Sequence, residues 1–357
     1  MIDTTGTGRD ARHRTQKERC LIVGLGSRSL KRHLPALVRC RDIELVGACD
    51  TNPDVAAHLP VGIPVFSDVD AAFTATRPTM AIVATPHHTH FAITERLLRS
   101  GVAVLKEKPF ALNVQEAHRL AQLIDDENGF LRLAVQRQFS KVFTQAKEAL
   151  PDLGALRHFE AVYHLNTHPY GNTWRGDEKQ AGGGAMLDMG YHTLDLIVSY
   201  FGMPHTVRAV QVPGRTGSEN LTVEESAAAI LEYASGLVGR IFLSRCESSK
   251  HESLSVTGTE GSLTVAPGIF RRRDKTGEET EVRTESRSAA GAGGEVLTTF
   301  LASMGDARIA RAECLRGLQV MALTDALYTS LRGKAAVALP PVDLPSSRGG
   351  AALAGAS

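Results

Sequence analysis

Short apolar runs alternate with amphipathic stretches along the first third of the chain. Residues 20–25 and 43–49 are continuous apolar runs of the kind found in strands that are buried on both faces. Between such runs apolar residues recur at helical spacing, most clearly over residues 113–127. Strands that alternate with helices predict a parallel sheet wound on both faces. Further strands are predicted at 80–84, 102–105 and 131–135, and further helices at 27–39 and 89–99.

The pattern changes after about Phe139, where extended runs separated by glycine-containing turns replace the alternation. Helices are predicted at 141–150, at 185–201 and, as a long final helix, at 307–331. Residues 286–296 are rich in Ala, Gly and Ser and are predicted to form a loop. The remaining runs predict a mostly antiparallel sheet, with strands at 155–165, 206–212, 222–233, 237–246, 253–256 and 262–265.

The two patterns together predict an α/β fold with two domains, as the length of 357 residues also indicates. Residues 18–138 form the doubly wound parallel sheet, and residues 139–340 form an α+β domain with the mostly antiparallel sheet. Residues 1–17 are polar, lack the apolar core of a signal peptide and are predicted to be disordered. Residues 341–357 are rich in Pro, Ser, Gly and Ala and are predicted to be a flexible tail.

Composition excludes several classes of function. Lys and Arg number 40 against 39 Asp and Glu, so a polyanion-binding surface over the whole protein is excluded and nucleic acid is not an expected partner. No apolar run reaches the roughly 20 residues that span a bilayer, so no membrane partner is expected. Five scattered Cys form no CxxC pair, which favours a reducing compartment, the cytosol.

A glycine turn stands between the first predicted strand and the first predicted helix. Gly24 and Gly26 allow a tight turn and a close approach of the backbone to a pyrophosphate that faces the helix N-terminus. Ser27 and Arg28 follow, and Ser29 takes the third position of the motif, where a small residue permits close packing of helix and strand. In this context the turn predicts a dinucleotide site.

Asp50 ends the second predicted strand. A carboxylate here can accept hydrogen bonds from the adenosine ribose hydroxyls and would repel a 2′-phosphate, so NAD is favoured over NADP. The alternative is a helix cap, because Thr51, Asn52 and Pro53 follow. Arg28 leaves NADP open, since a basic residue in the glycine turn can compensate a 2′-phosphate.

Glu107 and Lys108 follow the predicted strand 102–105 and precede Pro109. Ligands of an open parallel sheet lie beyond the carboxyl ends of its strands, so a lysine here can point into a cleft. Proline restricts the preceding backbone and can hold that side chain in place. The alternative is an exposed cluster of loop charges.

The helix predicted after the glycines 182–184 carries Asp188 and His192 four residues apart, and therefore on one face. Asp195 continues the stripe and is predicted to be structural. Apolar residues cover most of the helix, so the buried Asp and His need partners. Either they satisfy each other in the core, or they meet Lys108 in a cleft. The glycines are either a hinge or a source of free backbone N–H groups.

The second arrangement could oxidise a secondary alcohol. His192 would take the hydroxyl proton, because its unperturbed pKa lies near neutrality. Lys108 would stabilise developing alkoxide charge, and Asp188 would orient the substrate or the base.

The order of these motifs resembles the Gfo/Idh/MocA oxidoreductase family, the glucose–fructose oxidoreductase and inositol dehydrogenase group. The resemblance extends over roughly residues 18–340. The elements that carry it are Gly24-x-Gly26, Asp50, Ala84-Thr85-Pro86-His87-x-x-His90, Glu107-Lys108-Pro109 and Gly183-Gly184…Asp188-x-Gly190-x-His192.

The resemblance implies an N-terminal Rossmann domain that binds NAD, with NADP open, and a C-terminal domain with an open sheet. That sheet is expected to bury its free face in a homodimer or homotetramer. The resemblance assigns catalysis to Lys108, Asp188 and His192. His87 stands where many relatives carry Asn, so its own role stays open. The expected cofactor-binding residues are Gly24, Gly26, Ser27, Arg28, Asp50, Thr85, Pro86, His87, His90, Glu107 and Lys108.

Polar and aromatic residues between the two domains are expected to contact a substrate. His168, Trp174 and Arg175 lie where the family's substrate-contacting segment lies, and Arg137 at the domain junction joins them, beside Lys108, Asp188 and His192. No metal is predicted: His164 and His168 have a suitable spacing, but no third ligand is evident.

Three functions remain open at this stage. The leading one is an NAD-dependent dehydrogenase or ketoreductase for a small polyhydroxylated ring, a sugar or cyclitol. The balanced charge and 5% aromatic content favour a neutral polyol over a large hydrophobic substrate. The second is a redox-assisted lyase, dehydratase or glycosidase that retains its NAD. The third is a non-catalytic NAD-binding protein.

Overall fold

A computed structural model describes residues 16–166, 173–214, 221–284 and 289–345. The first sheet has six parallel strands in the order β3-β2-β1-β4-β5-β6. The order reverses between β1 and β4, which is the place where doubly wound sheets bind ligands. The predicted parallel sheet is confirmed. Its strands are β1 (Glu18–Val23), β2 (Ile43–Cys49), β3 (Val65–Phe66), β4 (Met80–Val83), β5 (Ala103–Lys106) and β6 (Leu131–Leu133).

The strands β4 and β5 are buried along their whole lengths, because helices cover both faces of this sheet. The predicted helix 27–39 is divided: a π-helical turn, Ser29–His33, comes first, and α1 completes it. The strand β3 and the helix α2 were not predicted, since a two-residue strand leaves no periodic signal. The helices of this part are α1 (Leu34–Arg39), α2 (Val69–Thr76), α3 (His90–Arg99) and α4 (Val114–Asp126).

The second sheet has nine strands in the order β14-β13-β12-β11-β7-β10-β9-β8-β15. Every neighbouring pair is antiparallel except β10 and β7, so the prediction of a mostly antiparallel sheet is confirmed. The strands are β7 (Leu156–Asn166), β8 (Thr206–Val212), β9 (Ser226–Glu232), β10 (Val238–Ser244), β11 (Cys246–Gly258), β12 (Gly261–Ala266), β13 (Ile269–Asp274), β14 (Glu279–Arg283) and β15 (Val337–Ala338).

The long helix α9 joins the two parts, since it packs against α4 of the first and against α7 and β8 of the second. Asp306 caps its N-terminus by accepting from the backbone N–H of Arg308 at 2.9 Å. Within the described ranges, no helix combines the length and apolar character needed to cross a membrane. The helices after the first sheet are α5 (Lys141–Glu148), α6 (Glu178–Ala181), α7 (Tyr191–Phe201), α8 (Ala289–Ser303) and α9 (Ala307–Gly333).

The predicted loop at 286–296 is wrong from Ala289 onward, where α8 begins. Val296, Leu297 and Phe300 of this helix are buried in the hydrophobic cluster beneath the first sheet. Gly293 allows close packing, because a Cβ there would lie 2.7 Å from the Arg32 carbonyl oxygen. Tertiary packing thus overrides the poor helix propensity of the glycines.

Candidate active site

The glycine turn after β1 leaves room for a ligand beside its backbone. Gly24 has a φ of +87°, and a Cβ there would lie 2.7 Å from the Ala84 carbonyl oxygen, so only glycine fits. A Cβ at Gly26 would meet no heavy atom within 4 Å, which leaves the backbone accessible. The buried Ser29 hydroxyl donates to the Gly24 carbonyl and closes the turn. Ser27 and Arg28 are exposed beside it. These features fit a bound dinucleotide pyrophosphate.

Asp50 lies at the same edge of the sheet, where its carboxylate braces the glycine turn. Its Oδ2 accepts from the Leu25 N–H at 2.6 Å, and its Oδ1 accepts from the Asn52 N–H at 2.9 Å. The helix-cap alternative for Asp50 is wrong, because Asn52 caps the following 3-10 helix, Pro53–His58, by accepting from the Asp54 N–H. Asp50 thus lies beside the glycine turn. In dinucleotide-binding folds a carboxylate at this position accepts hydrogen bonds from the ribose hydroxyls.

Glu107 joins the end of β5 to the π-helical turn after β1. His33 Nε2 lies 2.8 Å from Glu107 Oε1, and Arg28 Nε lies 3.8 Å from the same oxygen. Burial favours the protonated carboxyl, but the His33 hydrogen bond and the Arg28 charge outweigh it and lower the pKa of Glu107 to about 2. Glu107 is therefore a carboxylate that ties the end of β5 to Arg28 and His33 in the segment after β1.

The loop after β4 is held by its two buried histidines. His90 Nε2 donates to the Thr85 carbonyl at 2.8 Å, and His87 Nδ1 donates to the Ala181 carbonyl at 2.8 Å. Pro86 accepts from the Thr89 hydroxyl at 2.8 Å. Burial and then the charge of Lys108 lower the pKa of His87 to about 3, and burial lowers the pKa of His90 well below its usual value. Both rings are therefore neutral, and His90 supports Thr85 from inside the protein.

Lys108 and Asp188 form a buried ion pair. Lys108 Nζ donates to Asp188 Oδ1 at 2.6 Å and also to the Asp188 carbonyl oxygen. The peptide bond from Lys108 to Pro109 is cis. Burial opposes ionisation of Asp188, but Lys108, His87 and Arg175 hold its pKa far below the usual range. Burial lowers the pKa of Lys108, and Asp188 partly offsets this. The alternative of an exposed charge cluster at Lys108 is therefore wrong, since only 8% of its side chain is exposed.

His192 lies near this pair on the first turn of α7. Burial, followed by the charges of Arg137 and Lys108, keeps its pKa well below the usual value, so the imidazole is neutral. Its Nδ1 is buried and has no hydrogen-bond partner in the described part of the chain. Asp188 and His192 do not form a self-satisfied pair, because the carboxylate of Asp188 is directed to Lys108.

The single helix predicted over 185–201 is interrupted. Asp188 lies on a π-helical turn, Ala185–Met189, in which the Gly190 N–H donates to the Ala185 carbonyl at 2.8 Å. The helix α7 starts after Gly190, where a Cβ would lie 2.4 Å from the Met186 carbonyl oxygen. The π turn changes the angular offset that regular helical spacing predicts between Asp188 and His192.

Glu224 is a buried residue beside the candidate site that the sequence analysis missed. Its Oε1 accepts from the Met186 N–H at 2.7 Å and its Oε2 from the Gly184 N–H at 3.0 Å. The Tyr328 hydroxyl donates to Glu224 Oε1 at 3.0 Å. The prediction of free N–H groups before the helix is therefore wrong, since Glu224 occupies them. No local motif could have revealed this residue, which lies about 40 positions away in the chain.

The glycines before the π turn are explained by the same cap. A Cβ at Gly184 would lie 1.9 Å from the Glu224 carbonyl oxygen, and one at Gly183 would lie 2.0 Å from the Tyr328 hydroxyl. Glycine is needed because Glu224 and Tyr328 approach this backbone closely.

The predicted substrate-contacting residues have different surroundings. Arg175 Nε lies 3.5 Å from Asp188 Oδ2, and its guanidinium lies 4.2 Å from the Trp174 ring. Trp174 packs edge-on against His87 at 4.6 Å. Arg137 donates from two nitrogens to the carboxylate of Glu252 and lies 5.6 Å from the Tyr163 ring. His168 lies outside the described residues.

Asp195 is held away from the cleft by other partners. It accepts from Gln138 Nε2 at 2.9 Å and lies 3.5 Å from Arg316 Nε. The structure therefore brings together Lys108, Asp188 and His192, with His87, Trp174 and Arg175 beside them.

Comparison with known proteins matches both parts of the chain to one family. The family model described as "Oxidoreductase family, NAD-binding Rossmann fold" matches residues 18–134. The model described as "GFO/IDH/MocA C-terminal domain" matches residues 143–264. Together the two matches span well over half of the chain.

The individual relative described next shares less than a third of its aligned residues with this chain. The chain is 28% identical over 269 residues to a putative UDP-kanosamine synthase oxidoreductase subunit of Amycolatopsis mediterranei, a match that covers 70% of this chain and 74% of the relative.

Two solved structures share the fold. GenD2 from gentamicin A biosynthesis, in complex with NAD, has a TM-score of 0.79 at 22% identity and covers 94% of this chain and 100% of its own. A levoglucosan dehydrogenase in complex with NADH and levoglucosan has a TM-score of 0.77 at 20% identity, covering 91% and 100%. The family matches carry the assignment: the chain belongs to the GFO/IDH/MocA family of oxidoreductases and has that family's NAD-binding Rossmann domain.

Proposed function

We propose that this protein is an NAD-dependent dehydrogenase or ketoreductase that acts on a secondary alcohol or ketone of a sugar or cyclitol. The observation that carries the proposal is the convergence of Lys108, Asp188 and His192, near enough to Arg28 of the glycine turn for its charge to lower the pKa of Lys108 and His192. NAD, when bound, supplies the nicotinamide C4 that accepts or returns the hydride. The levoglucosan dehydrogenase that shares this fold supports a sugar-like substrate.

His192 is suited to take the proton of the substrate hydroxyl. Its imidazole is neutral at physiological pH, because burial and the neighbouring cations lower its pKa. A neutral imidazole accepts a proton in oxidation and, once protonated, returns it in reduction.

Lys108 is suited to stabilise the oxygen that loses this proton. An ammonium has three N–H donors, and Asp188 accepts two of them through its carbonyl and Oδ1. The third N–H remains for the reacting oxygen. Asp188 keeps Lys108 charged and fixes its direction, and burial of both groups strengthens the interaction.

NAD is the proposed cofactor in preference to NADP. The support is the position of Asp50, whose carboxylate lies beside the glycine turn and would repel a 2′-phosphate. Glu107 and Thr85 are proposed to shape the nicotinamide side through the contacts described above.

The test is a panel of inositols, aminocyclitols and sugars, scored by absorbance of NADH and separately of NADPH. We expect NAD-linked turnover of at least one compound, and Lys108→Met should lower kcat/KM about 100-fold or more. The NAD dissociation constant should change less than threefold. Lys141→Met, at an exposed lysine on α5, is the matched control.

Lys108→Met leaves Asp188 buried without its cation, which destabilises a protein. The double variant Lys108→Met with Asp188→Asn removes both charges and should bind NAD but remain inactive. Turnover without net NADH would instead favour the redox-assisted lyase. Full activity of both variants would contradict the proposed mechanism and favour a non-catalytic role for these residues.

A further inference from the structure

Three arginines lie on the side of the cleft where His192 stands. Arg28 and Arg32 come from the segment after β1, and Arg137 comes from the junction before α5. All three lie near enough to His192 to lower its pKa. The mechanism proposed above uses none of these guanidinium groups, so their gathering needs another explanation.

Two of the three arginines have carboxylate neighbours. Arg137 is paired with both oxygens of Glu252. Arg28 lies 3.8 Å from Glu107, whose closer partner is His33 at 2.8 Å. Both local acids are therefore already engaged.

Among the described residues no carboxylate lies within ion-pair distance of Arg32, although the charge of Glu107 raises its pKa. Its Nε and NH1 atoms are buried and make no hydrogen bond within the part of the chain that the structure describes. Burial, and then the neighbouring Arg28, lower the pKa of Arg32 to about 10, which still leaves it a cation at neutral pH. A buried donor without a partner costs roughly 1–3 kcal/mol, and more for a charged group.

Local structure holds this guanidinium in place. Arg32 belongs to the π-helical turn Ser29–His33, and π turns are rare and occur frequently at functional sites. The side-chain stem packs on α8, since a Cβ at Gly293 would lie 2.8 Å from Arg32 Cγ. The planar fork of an arginine fixed in this way matches a carboxylate or phosphate.

Arg32 lies one helical turn beyond the position expected for a cofactor pyrophosphate. Helix-bound pyrophosphates lie at the first turn, next to Gly26 and Arg28. The charges that act on Arg32 are those of Arg28 and Glu107, followed by Arg137 of the domain junction and Tyr163 of the second sheet. Arg32 therefore lies between the glycine turn and the second sheet.

We propose that Arg32 binds an anionic group of the substrate. The substrate class is then an acidic sugar or cyclitol, carrying a carboxylate or a phosphate ester, and not the neutral polyol that the overall charge favours. This inference rests on the proposed dehydrogenase function, because it concerns the same cleft.

The test compares substrates that differ only in the anion. Glucose is paired with glucuronate, with glucose 6-phosphate and with UDP-glucose, and the ratio of kcat/KM for the acidic to the neutral member is measured. We expect a ratio above ten for one of these pairs, which also identifies the source of the anion. Arg32→Gln should lower that ratio at least tenfold, and Arg32→Lys should restore part of it. Arg41→Gln, at an exposed arginine in the turn before β2, should leave it unchanged.

Binding measurements keep the two proposals apart. Isothermal titration of the NAD-loaded protein with glucuronate, glucose 6-phosphate and UDP-glucose tests Arg32 even when no compound is oxidised. The absence of oxidation would contradict only the proposed function. Equal affinities in wild type and Arg32→Gln would overturn the inference. A loss of NAD affinity in Arg32→Gln as large as the loss of acidic-substrate affinity would also overturn it, because Arg32 would then serve the cofactor.

Discussion

At the scale of single residues, Asp50 combines two roles that the sequence separates poorly. Its two oxygens already accept the N–H groups of Leu25 and Asn52, so the carboxylate shapes the glycine turn in addition to its proposed contact with the ribose. The sequence could predict the second role from the spacing to Gly24 and Gly26. It could not show the first, which depends on the folded path of the turn.

Asp50→Ala should therefore change both specificity and stability. We expect the preference for NAD over NADP to fall at least tenfold, because the charge that repels a 2′-phosphate is gone. Two lost acceptors should lower the free energy of unfolding by about 1–3 kcal/mol. Titration with each dinucleotide and urea denaturation measure the two effects. Asp54→Ala, at an exposed neighbour, is the control, and an unchanged cofactor preference in Asp50→Ala would contradict the ribose role.

Glu107 should make the stability of the fold depend on pH. Its pKa falls from an ordinary 4.5 to about 2 in the folded state, because His33 and Arg28 outweigh the effect of burial. A carboxyl whose pKa is lowered on folding contributes its full stability above the ordinary value. That contribution, on the order of 3 kcal/mol, is lost as the pH falls from about 5 towards 2.

Glu107→Gln should remove this part of the pH dependence. Urea denaturation at pH 7, 5, 4 and 3 measures it, and the difference in stability between wild type and variant should shrink as the pH falls. Glu148→Gln, on the exposed face of α5, should follow the wild type at each pH. A wild type and Glu107→Gln that lose stability in parallel would show that His33 and Arg28 do not hold the carboxylate.

At the scale of elements, two π-helical turns carry charged residues of the candidate site. Ser29–His33 carries Arg32, and Ala185–Met189 carries Asp188. The apolar periodicity predicts both helices but not these turns, because a single π turn of five residues is too short to leave a periodicity of its own. Helix existence was therefore predictable here, while the direction of the polar side chains depended on packing against α8 and Glu224.

Glu224 should be needed to position Asp188. Glu224→Ala leaves the buried Met186 N–H without its acceptor and the Gly184 N–H with the Tyr328 hydroxyl alone, and we expect a loss of about 1–3 kcal/mol. Glu224→Gln keeps one oxygen and should lose less, and Tyr328→Phe should lose about 1 kcal/mol. Urea denaturation measures these changes, with Glu148→Ala as the surface control.

The activity of the same variants shows whether Glu224 positions Asp188 for catalysis or only stabilises the helix. At a temperature where Glu224→Gln is folded, kcat should fall with little change in the NAD dissociation constant, since Asp188 and Lys108 shift together. An unchanged kcat in a folded Glu224→Gln would show that the cap supports the helix and not the chemistry.

At the scale of the whole molecule, buried charges connect the two sheets. Arg132 on β6 donates to Glu313 on α9 at 3.1 Å, Glu313 accepts from Arg316 at 3.1 Å, and Arg316 lies 3.5 Å from Asp195 on α7. The sequence predicted the two sheets separately, from their different periodicities. It could not predict how they pack, because these contacts join residues up to 181 positions apart.

The outer face of the second sheet carries exposed apolar side chains between charged ones. Among the described residues, five large apolar side chains are strongly exposed, and three of them (Val210, Ile230 and Val238) lie on the adjacent strands β8, β9 and β10. Their neighbours Val207 and Leu231 point to the opposite, buried face. An exposed apolar patch on adjacent strands is a typical association surface, and the expected homodimer or homotetramer would cover it.

Ile230→Arg should therefore dissociate the assembly. An arginine at position 230 adds a third positive charge beside Arg208 and Arg240, its cross-strand neighbours, so we expect the mass from light scattering at micromolar concentration to fall from a multiple of 38.3 kDa to that of one chain. Val61→Arg, at a fully exposed valine of the first part, should leave the mass unchanged. A wild type that is itself monomeric, or an Ile230→Arg that keeps the wild-type oligomeric mass, would show that this face is not the interface. Because Ile230 lies on a different element from Lys108 and His192, retained NAD binding in the dissociated variant would further show that one chain builds its cofactor site alone.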